Sequence, residues 1–306
     1  MTAETRAAPS SSRRRHRRQD VLAALPWLLP ALLLIMAIVL FPAGFMAWTS
    51  TREMSTVGVD QGSAGLGNFT ALLDFPGLRR VLLNTVIWVV GVVAVTLVIS
   101  MGLAQFLDKA FPGRRLVRLA VIVPWAASVV MTAIVFYYGL DPFYGVINHF
   151  LVDIGLLDGT FGFTRRPVPA FLVSMTVAVF VSLPFTTYTI LAGLQMVPGD
   201  LIEAARVDGA GALRTYRSVT LPILRPAIAV AVLINIINVF NSLPILRTIT
   251  GSIPGHQADT TTTLIFKFIQ QYRQIDTASA LSVLNFAIVL AVIGVYLALV
   301  KPMRQD

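Results

Sequence analysis

Asp200-Leu201-Ile202-Glu203-Ala204-Ala205-Arg206-Val207-Asp208-Gly209-Ala210-Gly211-Ala212-Leu213-Arg214-Thr215-Tyr216-Arg217-Ser218-Val219-Thr220-Leu221-Pro222 is a charged island between two long apolar stretches. Asp200 is placed to cap a short helix, with Glu203 three residues on as its capping-box partner. Glu203 to Val207 suits a helix, and Gly209 suits the left-handed residue that ends one. A second short helix, Ala212–Val219, would carry Leu213, Tyr216 and Val219 on one face, and Pro222 would open the next apolar span. Small residues at the bend make a compact knob whose backbone another protein can approach. An ordinary amphipathic connector lying on a membrane would read the same way.

Six charge-free stretches surround this island: Val21–Thr51, Val81–Leu107, Leu119–Leu140, Pro167–Gly199, Pro226–Leu246 and Thr277–Val300. About 20 helical residues cross a bilayer core, so each is long enough. The fourth is longer than one crossing needs, and its ends are expected at the interfaces. The whole chain of 306 residues is 56% hydrophobic and only 13% charged, with a mean hydropathy of +0.76. A soluble fold of this size cannot bury so much apolar side chain. That excludes a soluble enzyme and a disordered or nucleic-acid-binding chain. Barrel strands would be half as long and would alternate in polarity, so the reading is an all-α integral membrane protein with six transmembrane helices. Pro124, Pro184 and Pro244 are expected to kink the third, fourth and fifth spans. With no cysteine, neither a disulfide nor a thiolate site is available.

Segment 1–20 is a basic tail, carrying Arg13, Arg14, Arg15, Arg17 and Arg18, and residues 21–306 read as one membrane domain. No small-residue cleavage site follows closely, so the first apolar stretch reads as a retained helix, not a signal peptide. With the N-terminus in the cytoplasm, the inner segments hold sixteen Lys and Arg against eight outside. This bias places both termini, and the 200–222 loop, inside. The basic tail also suits contact with anionic membrane lipid. The outer segments Ser55–Asn68 and Gly251–Thr263 read as polar loops.

The spacing in the island resembles the EAA loop of binding-protein-dependent ABC importer permeases. That family's pattern is Glu-Ala-Ala, three residues, Gly, nine residues, then Ile-x-Leu-Pro. Glu203-Ala204-Ala205, Gly209, Val219 and Leu221-Pro222 fall at those intervals, with Val in place of Ile. Weaker matches are Gly67-Asn68-Phe69, Asn84-Thr85, Pro124-Trp125-Ala126, Tyr144 to Asn148 and Pro198-Gly199-Asp200. The likeness covers roughly Gly67 to the C-terminus and is greatest to the carbohydrate-importing, MalF-like branch. It implies a MetI/MalF-like type I permease bundle in the bacterial cytoplasmic membrane. It further implies that Glu203, Ala204, Ala205, Asp208, Gly209, Leu221 and Pro222 form a coupling helix docking into a cytoplasmic ATPase. The implied partners are a second homologous permease, two ATPase subunits that hold ATP and Mg, and an extracytoplasmic solute-binding protein.

A transport path needs polar groups turned to the bundle interior. Asn235, Asn238 and Asn241 recur every three residues, and amides suit hydroxyl-rich, sugar-like solutes. Holding helices together is their other reading. The resemblance brings Asn238, Asn241, Ser182 and Phe185 onto sugar-contacting positions of the family's maltose permease. Gly and Tyr stand there in place of Ser182 and Phe185, so the hydroxyl of the tyrosine is missing here.

His16, His149 and His256 are too scattered for a metal site, and Asp141, Asp153 and Asp158 read as solvated loop carboxylates. No Gly-x-x-x-x-Gly-Lys-Ser/Thr loop occurs, so no cofactor is expected on this chain and ATP hydrolysis is assigned to a partner. An ion-coupled secondary transporter would place a charge inside a span, and none is there. A membrane enzyme or scaffold is the other alternative.

Overall fold

The computed structural model describes residues 26–300. The basic tail 1–20, the start of the first span and the cations Lys301 and Arg304 lie outside the described residues.

Helix α1 (Pro26–Thr49) leads into a hairpin of β1 (Arg52–Met54) and β2 (Asp60–Ser63), then α2 (Gly67–Leu73). The long helix α3 (Leu78–Asp108) follows, then α4 (Arg114–Ala126), α5 (Val129–Gly139) and α6 (Val146–Asp153). Next come α7 (Pro167–Gln195), α8 (Gly199–Val207) and α9 (Ala212–Phe240). Helices α10 (Leu243–Thr250), α11 (Thr261–Lys267) and α12 (Ile275–Val300) complete the chain. Five of them, α1, α3, α7, α9 and α12, are long and apolar enough to cross a membrane. Four of them match charge-free stretches closely, whereas α9 starts 14 residues before the expected Pro226 and ends six before Leu246.

The third stretch differs. It divides into α4 and α5, which meet at 95° across Ala127 and Ser128. Pro124 was expected to bend one continuous helix locally. Instead the helix runs through Pro124 and ends after Ala126, where Ala127 and Ser128 turn to extended backbone. Pro124 has no N–H to continue the ladder, and Ser128 restarts it by accepting both the amide and the hydroxyl of Thr132.

Pro244 and Pro222 also correct the reading. Pro244 does not kink the fifth span: that span ends at Phe240, and Pro244 stands in the first turn of α10. Pro184 lies inside a helix that stays unbroken from Pro167 to Gln195. Pro222 does not open a helix either. The expected helix Ala212–Val219 and the fifth span are one rod of 29 residues, joined by a π turn at Tyr216–Thr220. There the N–H of Leu221 reaches back five residues to the carbonyl of Tyr216, skipping one acceptor. Pro222, which has no N–H, follows without breaking the rod.

Three apolar clusters hold the bundle. Ala104, Leu107, Ile190, Leu191, Leu194 and Leu224 pack at the end nearest residues 200–222. A central cluster includes Trp88, Val92, Val177, Val239, Ile245 and Ile249. At the far end Leu72, Leu78, Val81, Leu264, Phe268 and Leu281 close the bundle. The most extensive packing is between α3 and α7, followed by α7 against α9. A Cβ on Gly193 of α7 would lie 2.6 Å from the Cβ of Ala227 on α9, so this close approach requires glycine.

The hairpin that read as a loop is pinned by Arg52, which bonds Asp60 at 2.6 Å. That hydrogen bond, with one from the N–H of Gly62, holds the Asp60 carboxyl below the usual carboxylate range. Asp141 is lowered chiefly by the backbone N–H of Phe143.

Candidate functional site

The charged island folds as a bent knob. Helix α8 begins at Gly199 with Pro198 at the capping position, so Asp200 lies in the first turn and does not cap it. The capping box expected with Glu203 is therefore not formed. Its negative charge still favours the helix N-terminus. The bend forms as the residue pattern predicts. Gly209 adopts φ of +74°, its N–H bonds the carbonyl of Arg206, and Ala210 N–H bonds that of Ala205. These two bonds make a complete Schellman ending. A Cβ on Gly209 would meet nothing within 4 Å, so backbone conformation alone demands glycine there.

Glu203, Ala204, Val207, Asp208 and Gly209 are all exposed, Val207 to 88%. Leu213, beyond the bend, is 63% exposed. Of the face expected on the second helix, Tyr216 and Val219 are half-buried instead. Leu221 and Pro222 are half-buried in the rod and stand apart from the exposed knob. Charged groups and large apolar side chains side by side on a protruding bend are chemistry for a protein partner. Helix α9 leaves this knob and runs its 29 residues, about 43 Å at 1.5 Å per residue, into the central cluster, where Val239 and Phe240 pack.

The three asparagines of α9 part company. Asn235 is buried and donates to Thr186 Oγ1 at 2.6 Å and to the Ala231 carbonyl at 2.9 Å, so it ties α9 to α7. Asn238 is exposed and makes no hydrogen bond among the described residues. Asn241, also exposed, donates to the carbonyl of Ile237 and ends its own helix. Because α7 and α9 run antiparallel, Ser182 and Asn238 stand at one level, each about a turn beyond the Asn235–Thr186 contact. No hydrogen bond joins them. Phe185 is half-buried and borders a largely apolar hollow of about 490 Å³ with Ile122, Trp125 and Tyr188. The Tyr188 hydroxyl donates to the Arg118 carbonyl at 2.7 Å, which fixes α4 against α7 beside that hollow.

At the far end, residues 251–263 are tightly held and are not a free loop. Asn84 of α3 donates to the carbonyls of Gln257 and Asp259, both at 2.9 Å. Lys267 Nζ donates at 2.8 Å to both Asp259 Oδ2 and the Gly255 carbonyl, and His256 Nδ1 lies 2.9 Å from the same carboxylate oxygen. Thr261 bonds Thr85 of α3 and Asn285 of α12. This clamp escaped the sequence reading. One local signal marks its start: Thr260 caps α11 and Thr263 returns the bond as its capping-box partner.

The profile of the family described as binding-protein-dependent transport system inner membrane component matches residues 94–304. The chain belongs to that family. The permease is 33% identical over 279 residues to a probable ABC transporter permease protein of Brucella suis biovar 1, covering 91% of this chain and 96% of the relative. It is 32% identical over 283 residues to the sulfoquinovosyl glycerol transport system permease protein of Agrobacterium fabrum, covering 92% and 91%. Its fold matches a chain of a bacterial ABC transporter involved in the import of the acidic polysaccharide alginate. The TM-score there is 0.79 at 21% identity, over 97% of this chain and all of that one. The permease is thus a multi-pass inner-membrane protein of an ABC importer. Helices α1 and α2 and the hairpin precede the matched region, which begins midway along α3 and takes in the knob, the asparagines and the clamp apart from Asn84 and Thr85.

Proposed function

We propose that the permease is one half of a pore importing a carbohydrate or sugar-like polar solute, driven from outside the membrane plane through the knob at Gly199–Val207. The relatives' named solutes, sulfoquinovosyl glycerol and alginate, support a sugar-like cargo. In this reading the knob and both termini face the cytoplasm, as the distribution of Lys and Arg favours. A second homologous permease completes the pore, two ATPase subunits bind ATP and Mg, and an external binding protein delivers solute. This chain supplies no catalytic group and binds no nucleotide itself.

The observation that carries this reading is the joint at Gly209. An exposed short helix is linked, through one locked bend, to a rod that reaches the central cluster of the bundle. A push on Glu203, Ala204, Ala205 or Asp208 reaches the bundle interior along α9. There Leu221 and Pro222 lie at the π turn and Asn235 holds α7. Rocking α9 and α7 together switches access from one membrane face to the other as rigid bodies. Solute passes along Ser182, Phe185, Asn238 and Asn241, whose amides and hydroxyl bond hydroxyl groups while the ring stacks on an apolar sugar face.

The test uses the assembled transporter. Gly209→Val strains a left-handed residue by about 1–2 kcal/mol or more and disrupts the bend. It should abolish most binding-protein-stimulated ATP hydrolysis while the subunits still co-purify. Gly209→Asn, which tolerates that conformation, should keep it. Equal activity in both variants would refute the coupling role.

A further inference from the structure

A second hollow, this one polar, lies beyond the C-terminal end of α9, between α10 and α11, some 43 Å of rod away from the knob. It encloses about 240 Å³ and is lined by Arg247, Asp259, Phe266, Lys267, Gln270 and Gln271 among others. Asp259 and Lys267 are largely buried there and already satisfy each other at 2.8 Å, with His256 on the same carboxylate. Their mutual bonds leave a fixed, nearly neutral floor. Arg247 is different. It is exposed, enters no ion pair among the described residues, and its guanidinium lies 3.9 Å from the centre of the Phe266 ring.

A guanidinium over an aromatic ring, with no ion-pair partner, keeps N–H donors free, and their edge matches a carboxylate with two parallel bonds. The exposed amides of Gln270 and Gln271 add donors and acceptors suited to hydroxyl groups. Liquid water takes about 30 Å³ per molecule, so the hollow holds a single sugar-sized ring and not a chain of them.

We propose that this hollow is a vestibule site that admits one hydroxylated, carboxylate-bearing ring, such as a sugar acid, before it enters the passage between the helices. Arg247 takes the carboxylate, Gln270 and Gln271 take hydroxyls, and the Asp259–Lys267 pair holds the wall in place. The positive lining draws an anionic solute toward the bundle. This site rests on the importer reading for its purpose, but its occupancy needs no ATPase.

The full chain in uncharged detergent micelles should be titrated with D-glucuronate and, separately, D-glucose, followed by saturation-transfer NMR. Glucuronate should bind saturably and more tightly than glucose. Arg247→Ala should weaken it by about tenfold. Gln271→Glu changes an exposed side chain and should spare the fold. It should weaken glucuronate by about threefold more than glucose, while Gln271→Lys should shift that ratio the opposite way. The proposal is overturned by absent saturation with glucuronate, by equal binding of the two sugars, or by glucuronate affinity indifferent to the charge at 271. None of those results bears on coupling at Gly209, and failure of the Gly209 test leaves this one standing.

Discussion

Asn235 donates a 2.6 Å hydrogen bond to the hydroxyl of Thr186, and this contact decides which of the α9 asparagines is free to meet a solute. Asn235→Ala leaves the buried Thr186 hydroxyl without this donor and removes a link between α7 and α9. Thermal unfolding in detergent should show a loss of about 1 kcal/mol. Asn238→Ala, at an exposed and unbonded position, should leave stability unchanged and lower solute uptake instead. A stability loss at Asn238 matching that at Asn235 would contradict this division.

The close approach of α7 and α9 at Gly193 leaves no room for a side chain. Gly193→Val drives methyl groups into Ala227 and Leu224, which already stand 2.6 and 3.0 Å from a bare Cβ. Overpacking of this kind costs about 1–3 kcal/mol. The melting temperature should fall, and Gly102→Ala, which has open space around it, serves as the unaffected control.

The clamp at the far end rests on a buried charge pair. Lys267→Met leaves the Asp259 carboxylate without its ammonium partner, and such uncompensated burial costs about 3–5 kcal/mol. Asp259→Leu combined with Lys267→Met removes both charges and should recover much of the loss. Equal melting points for the single Lys267 variant and the wild type would show that the pair bears no load.

Acid should loosen the hairpin between β1 and β2. Asp60 has a folded pKa below its ordinary value because Arg52 and the Gly62 amide bond its charged form. Its contribution is therefore complete above the unfolded carboxylate pKa and is lost as pH falls through the lower folded value. Hydrogen exchange at Gly62 should be steady from neutral pH down to the ordinary carboxylate range and accelerate relative to the intrinsic rate below it. Asp60→Asn should exchange faster at neutral pH and lose this acid response.

Much of this architecture was legible before any coordinates, for a simple reason. A lipid environment forbids charge over some twenty residues, so Val81–Leu107 and Pro167–Gly199 announce themselves without knowledge of their neighbours. Gly209 was legible because a left-handed helix ending is a local property. The prolines were less so. Whether Pro124, Pro222 or Pro244 bends, passes or begins a helix depends on how the carbonyls freed by each are satisfied, which composition does not record. The asparagines posed a harder case, since Asn235 and Asn238 differ only in which neighbour each meets. The clamp was hidden because Asn84 finds its acceptors more than 170 residues away.

Contact between the knob and a nucleotide-hydrolysing partner is tested most directly by cross-linking. The chain has no cysteine, so Val207→Cys introduces a single thiol at a side chain that is 88% exposed. With a short bifunctional thiol reagent and a cysteine-containing ATPase subunit in the assembled transporter, Val207→Cys should give one adduct of this chain with that subunit. The adduct should persist through purification and disappear when the thiol is moved to the far end at Gln271→Cys. An adduct from Gln271→Cys and none from Val207→Cys would place the motor at the wrong end of the bundle and contradict the account.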